Sequence, residues 1–497
     1  MRKLNVVFLE RLAMEKLGLM YISAVVRRAG HHSQLFLEGA EGAAFVDRVV
    51  AARPDLVAFS VTTGMHRWAL EVAARIKART ETRILFGGPH ATYSPEVIEK
   101  DPVDLVCRGE GEEAMDELLA ALASGTSPRN IANFWVKEEG AIHRNEVRPL
   151  TQDLDSIPFP DWDLYYRYPY LRRLRSKPLL TGRGCSFQCT FCHNHLDMAL
   201  YSGKGKWVRK RSPENIVAEI RELGARYPLE ILNLERDDHL TIQRDWTFRF
   251  LEAYARQVDL PFVLQCRPET IDRETADALA RARCASVTIS FETANPFLRN
   301  SLLRKEIDDD QVIQAVQLLK ERGIYVKTLN MIGLPGEDLD GALATLDFNI
   351  RLKPQFARCS IATPFPRTRL FEQSVNAGML ADDHSSDDYF EDYFQKTVLD
   401  HPDGARLENL HKFFSIVVTF PWLLPVVKLL VRLPPNPLYY RVYLAAFVLY
   451  GSSFAGLGAR NVLDLIRYTP RPLPAPRAAR RSWSLLAVLQ RFSFNFD

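Results

Sequence analysis

The chain of 497 residues has no apolar run suited to an ordinary membrane span, which needs about 20 predominantly apolar residues. Phe413 to Val427 is uncharged but broken by Pro421 and Pro425, and Val442 to Leu457 is again too short. An excess of one charge is also missing: 64 basic against 61 acidic residues leave a formal net charge of +3. So near neutrality, overall charge gives no case for nucleic acid as a partner. Cysteine is scarce. There are seven, an odd number, and Cys107, Cys266, Cys284 and Cys359 stand singly in apolar or mixed stretches. With no signal-peptide pattern at Met1-Arg2-Lys3, a disulfide framework is not expected, and the chain reads as cytoplasmic and reduced.

The other three cysteines are concentrated. Cys185, Cys189 and Cys192 form Cys-x3-Cys-x2-Cys after the apolar run Pro178-Leu179-Leu180 and the turn residues Gly182 and Gly184. Three thiolates at this spacing can converge on one iron-sulfur cluster and leave a fourth iron free for a small molecule. The alternative is a structural Cys3His zinc site completed by His193 or His195. Zinc sites more often use two separated pairs, and no second pair exists here.

At this length, with 47% hydrophobic and 25% charged residues, about three domains are expected. The fold class is α/β. In residues 1–130, strand-like runs at Leu4 to Leu9, Ser33 to Leu37, Leu56 to Val61, Arg83 to Gly87 and Asp104 to Arg108 alternate with helical spacing, which predicts a Rossmann-like parallel sheet. Ligands of such sheets bind beyond the carboxyl ends of the strands, where Ser60, Thr62, Gly87, Gly88 and His90 fall. Gly87 and Gly88 would admit close backbone approach to a ligand, or simply make a turn.

Residues 131–175 read as an irregular linker whose aromatics Trp162, Tyr165, Tyr166 and Tyr170 pack against the next domain. Residues 176–395 alternate again: six strand-like runs predict a partial (β/α)6 TIM-type barrel with its site at the carboxyl ends of its strands. Ser212-Pro213-Glu214 marks a helix start there. Residues 396–497 read as a helical, apolar and arginine-rich C-terminal region. It would either cap the barrel or lie on an anionic membrane surface, with Ser482 to Phe494 apolar and arginines from Arg460 to Arg491.

The cysteine motif, Phe191 before its last cysteine, an acidic residue ending a later strand and Gly333-Leu334-Pro335-Gly336-Glu337 after the next resemble the radical S-adenosylmethionine (SAM) enzymes. With the preceding module the chain resembles their cobalamin-binding branch. The FCHNH stretch at 191–195, VRKRSPENI at 208–216, Asp237-Asp238 and Thr363-Pro364-Phe365-Pro366-Arg367-Thr368 are similar to the subgroup with the anaerobic magnesium-protoporphyrin monomethyl ester cyclase and methylases of hydrophobic substrates.

This resemblance implies that Cys185, Cys189 and Cys192 ligate a 4Fe-4S cluster whose open iron chelates SAM. It further implies that Phe191, Gly333, Pro335 and Gly336 lie near the adenine, that Glu292 contacts the ribose and that Arg267 holds the SAM carboxylate. Gly18, Ser60, Thr62, Gly87, Gly88 and His90 would serve cobalamin. Ala13 and Glu15 stand where the branch usually has the Asp and the cobalt-ligating His of Asp-x-His-x-x-Gly, so no imidazole would coordinate cobalt. Ser290-Phe291-Glu292-Thr293-Ala294 replaces the usual Gly-x-Glu-Ser-Gly, which adds bulk beside the nucleoside. His239, with Asp237, would be a proton-transfer residue in the substrate pocket, or else a structural group.

The activity implied is C-methylation of an unactivated carbon of a small hydrophobic substrate such as a lipid, polyprenoid or tetrapyrrole. An external one-electron reductant of flavodoxin or ferredoxin type and peripheral contact with a membrane's inner face complete the expected partners. Oxidative cyclisation without methyl transfer and a corrinoid-sensing regulatory role are the alternatives.

Overall fold

The computed structural model describes residues 2–12, 14–235, 240–381, 384–389 and 395–446. Asp237, His239, Ala13 and the arginine-rich tail from Arg460 onward lie outside these residues.

The first sheet runs through β1 (Asn5–Glu10), β2 (His32–Leu37), β3 (Leu56–Ser60), β4 (Arg83–Gly87), β5 (Leu105–Cys107), β6 (Phe134–Glu138) and β7 (Ala141–Arg144). Its order is β2-β1-β3-β4-β5-β6-β7, with β1 to β5 parallel and β6 and β7 antiparallel. Val6, Val7, Phe8 and Leu9 are wholly buried on successive positions of β1. Helices cover both faces of a parallel sheet, so its central strands read as continuous apolar runs rather than alternating ones.

The expected linker is only partly irregular. Its first part is the hairpin β6–β7, closed by Glu139 and Gly140 in left-handed backbone, so the first sheet continues past residue 130. Trp162, Tyr165, Tyr166 and Tyr170 pack into the core of the first domain together with Leu223 and Tyr227 from the barrel. The aromatics are a wedge shared by two domains, because rings this large bury their area wherever two apolar faces leave a gap.

The second sheet holds β8 (Ser176–Pro178), β11 (Ile231–Leu234), β12 (Phe262–Cys266), β13 (Cys284–Glu292), β14 (Tyr325–Ile332) and β15 (Phe356–Ile361), all parallel in the order β15-β14-β13-β12-β11-β8. It is the six-stranded partial barrel expected. Between β8 and β11, β9 (Gly182–Arg183) and β10 (Arg209–Lys210) form a short antiparallel ribbon. The helix Pro213–Arg226 begins where its sequence marks it: the Ser212 side chain accepts from Asn215 N at 3.1 Å, and Pro213 occupies the first turn.

Arg209, from the basic run 209–211, serves the junction of the two domains. Arg209 reaches Glu110 with both terminal nitrogens, at 3.0 and 2.5 Å, and Arg183 pairs with Glu112 at 2.5 Å. Such forked pairs fix geometry as well as charge. Beyond the barrel, the helix Gly404–Thr419 lays Leu410, Phe414 and Val417 against Ile332, Leu346 and Ile361, which seals the β15 side.

Candidate active site

The cysteine loop is held by backbone geometry before and by side chains after it. Gly184 has φ +85°, and a Cβ there would sit 2.2 Å from Trp207 O, so only glycine passes this point. Asn194 then clamps the loop. Its Nδ2 donates to Cys185 O at 2.8 Å and to Phe187 O, its Oδ1 accepts from Trp207 Nε1 at 2.8 Å, and its backbone N–H points at Cys192 Sγ at 3.5 Å. Thr190 pins the middle of the loop to Leu302 O at 2.7 Å.

One cavity at the carboxyl ends of the barrel strands brings the expected residues together. Cys185, Cys189, Cys192, Phe191, Arg267 and Glu292 all line it, joined by Lys305, Gln265, Met331, Arg358, Ser360 and Phe365. Glu292 enters from an irregular point. The β13–β14 register shifts between Ser290 and Glu292, and Glu292 has φ +70°. A bulge with a left-handed non-glycine residue re-aims a side chain at the expense of local strain. The Glu292 carboxylate meets Lys305 Nζ at 2.9 Å, both groups nearly buried, and Lys305 also donates to Ser290 O at 2.8 Å and Ser290 Oγ at 3.0 Å. Burial pushes the Cys189 thiol pKa up, while Lys305 and Arg267 pull it down.

Three groups of expected residues have surroundings that the sequence did not show. Arg267 is buried and its guanidinium is engaged on all sides: its Nε donates to Glu269, Nη2 to Lys305 O, and Nη1 to Cys189 Sγ at 3.7 Å. Gly333, Pro335 and Gly336 are not among the residues lining the cavity; Met331, Ser360 and Ile361 stand there instead. Their loop folds around Glu337, whose Oε2 accepts from Gly333 N at 2.7 Å and Leu334 N at 3.3 Å. His90 is buried, its ring stacked 4.2 Å from His66 and its Nδ1 3.2 Å from Thr63 Oγ1. Burial, then the nearby His66, lowers its pKa to about 3.

The glycine pair ends β4. Gly88 has φ +87°, and a Cβ there would come within 2.9 Å of Val61 N and 3.0 Å of Val61 O and Ser60 Oγ. The close approach that requires glycine is therefore to the chain's own β3 end. Gly18, in contrast, has open space where a Cβ would stand. The helix Gly88–Tyr93 leads away from this rim, and the Tyr93 ring stacks 4.4 Å from His193, next to Cys192. The segment Ser385–Tyr389 closes over the same junction. Asp387 accepts from or pairs with His66 Nε2 at 2.8 Å, and the Tyr389 hydroxyl donates to Pro364 O.

A family model described as the Radical SAM superfamily matches residues 179–348, and one described as the B12 binding domain matches residues 11–119. An uncharacterized methyltransferase of Pyrococcus horikoshii is 31% identical over 375 residues, covering 73% of this chain and 79% of that one. The chain belongs to the cobalamin-binding radical SAM enzymes. Anaerobic magnesium-protoporphyrin IX monomethyl ester cyclase of Rubrivivax gelatinosus is 26% identical to this member, over 71% of this chain and 65% of the cyclase. The radical SAM methyltransferase TsrM of Kitasatospora setae, solved with cobalamin and a 4Fe-4S cluster bound, shares the fold with a TM-score of 0.64 at 20% identity, covering 77% of this chain and 80% of that chain. As a radical SAM enzyme of the methyltransferase kind, the protein takes a 4Fe-4S cluster, SAM and cobalamin as cofactors.

The residues fit these groups. Among the described residues no three His, Cys, Asp or Glu side chains gather tightly enough for a single metal ion, yet three cysteines line one cavity. Ligands of one zinc ion must reach a common point, whereas cluster thiolates each take a separate iron. The donor set suits the cluster better than the Cys3His alternative. In the first domain, the open rim at Gly18 and the hydroxyls at Ser60 to Thr63 lie where doubly wound sheets bind ligands. Glu15, in the place of the usual histidine, is buried near Tyr166. Asn194, Trp207 and Lys305 were not expected from the sequence. The Asn194 signal lay within FCHNH, whereas nothing local distinguished Lys305.

Proposed function

We propose that the protein C-methylates an unactivated carbon of a small hydrophobic substrate, of the lipid, polyprenoid or tetrapyrrole class. One observation carries the reading: a single cavity joins the cysteine loop to an apolar wall of Leu329, Met331, Ile361 and Phe365. Such a wall suits a substrate without many polar handles.

In this reading Cys185, Cys189 and Cys192 hold the cluster; Phe191 and Glu292 face SAM, with Gly333, Pro335 and Gly336 behind it; and Gly18, Ser60, Thr62, Gly87 and Gly88 frame cobalamin. Bound together, these cofactors supply one-electron cleavage, hydrogen-atom abstraction and a transferable methyl group. The chain's own work is positional. Asn194 and Trp207 fix the loop, Lys305 holds Glu292 in place through their 2.9 Å contact, and the apolar wall excludes water from a reactive site. His239 and Asp237 remain proposed for proton transfer, and the electron donor is a flavodoxin- or ferredoxin-type protein.

Anaerobic incubation of the reduced enzyme with deuterated-methyl SAM tests the reaction. A product heavier by one labelled methyl group is expected. A product oxidised without label gain would instead support cyclisation, the activity named for the Rubrivivax relative.

The membrane contact fits a surface of the C-terminal helices. Trp422, Leu429 and Leu438 are 74%, 67% and 62% exposed, Lys428, Arg432 and Arg441 stand among them, and residues 409–463 contain no Asp or Glu. Exposed apolar side chains interspersed in sequence with basic residues complement an anionic bilayer. Among the described residues no helix is long and apolar enough to cross a membrane. Cosedimentation with phosphatidylglycerol vesicles but not phosphatidylcholine vesicles is expected, lost in a Trp422→Ser/Leu429→Ser variant; no binding to either vesicle would overturn the contact.

A further inference from the structure

Arg267 directly follows β12 and is 7% exposed. Its guanidinium lies 3.7 Å from the ring centre of Phe187, within the cysteine loop itself, between Cys185 and Cys189. Glu269 and Lys305 O hold two of its nitrogens, and the third donates to Cys189 Sγ at 3.7 Å. Stacking plus two anchors removes the freedom a long side chain would otherwise spend to make that contact. Neither edge of the planar group is left whole for bidentate pairing with a carboxylate.

The cysteines are not equivalent. Cys189 is buried, Cys185 is half-buried and Cys192 is exposed. A charge beside Cys189 therefore acts in a medium of low dielectric, where water does not screen it.

We propose that Arg267 is a positioning residue for electron transfer: its N–H and fixed positive charge at the Cys189 sulfur raise the reduction potential of the cluster, and it does not bind SAM. The proposal rests on Cys189 being a cluster ligand. Adding one electron makes the cluster and its thiolates more negative, so a neighbouring donor and cation stabilise the reduced state more than the oxidised one. Phe187 keeps the guanidinium in place through its ring face.

The test is an EPR-monitored redox titration of the anaerobically reconstituted full-length protein without SAM, followed by titration of the same signal with SAM. Arg267→Gln is expected to lower the reduced-to-oxidised ratio at the wild-type midpoint at least tenfold, a shift of about 59 mV for one electron. Arg267→Lys keeps the charge without the planar fork and should lose about threefold, and Phe187→Leu a similar amount. SAM affinity should stay within about twofold in all three. An unmoved potential with SAM affinity down more than tenfold overturns the proposal and restores a carboxylate clamp. Should Arg267→Gln fail to hold iron, Arg267→Lys and Phe187→Leu decide the matter by the same measurement. A wild-type protein that assembles no cluster fails earlier, at the cysteine assignment, and is told apart by its iron content.

Discussion

The barrel and the first sheet end in comparable places, the carboxyl ends of parallel strands, but they build their sites in opposite ways. At the barrel the work is done by side chains locked from several directions: Asn194 across the cysteine loop, Lys305 under Glu292, Arg267 between Phe187 and Glu269. At the first sheet it is done by the absence of side chains, with Gly88 pressed against Val61 and open space above Gly18. A site that must hold particular atoms needs fixed donors, while a rim proposed to receive a broad planar ligand needs room and close backbone. Damage to the first should cost chemistry, and damage to the second should cost fit.

The strongest way to break this contrast is to remove a cluster thiolate. Cys189→Ala is expected to abolish SAM cleavage and cut bound iron severely while leaving the cobalamin optical spectrum in place. Retained iron and activity would dissolve the distinction. Next is Lys305→Met, which leaves the Glu292 carboxylate buried without its cation; losing one partner of a buried pair costs about 3 to 5 kcal/mol. Chemical denaturation should register that loss, and Lys305→Arg should recover part of it.

Gly88→Ala addresses the other side. A Cβ at φ +87° and within about 3 Å of backbone should cost about 1 to 3 kcal/mol and weaken cobalamin binding, with iron content unchanged. The smallest effect expected is acid sensitivity at His90. Its folded pKa, about 3, lies below the unfolded value of 6.5, so its contribution is complete above pH 6.5 and is lost as pH falls toward 3. The slope is at most about 1.4 kcal/mol per pH unit. His90→Gln should flatten the decline in melting temperature between pH 6.5 and 5; an unchanged profile would place that sensitivity elsewhere.

How much of this was legible in sequence follows the same division. Parallel strands such as β1 and β14 announce themselves as apolar runs, and Ser212-Pro213 marks its helix because capping is a local bargain between neighbours. The hairpin β6–β7 was hidden since Phe134 to Arg144 carries charge and only partial alternation, enough for an edge but not for a confident strand. Arg267 was legible as a candidate site residue, yet its partners Cys189 and Lys305 lie 78 and 38 positions away. No pattern of spacing contains that information; it arises only when two loops fold onto each other. The glycine pair was legible as a feature, but not that the space it frees is filled by Val61.

The helix Gly88–Tyr93 begins at that glycine pair and ends with a ring on His193, beside the cysteine loop. It thus works as a gauge block between the two halves of the molecule. A helix advances about 1.5 Å and turns about 100° per residue, so one inserted residue would lengthen the gap only slightly yet swing Tyr93 off the imidazole face. Six residues set the phase of the junction as well as its length, and so short a helix has no spare residue to give.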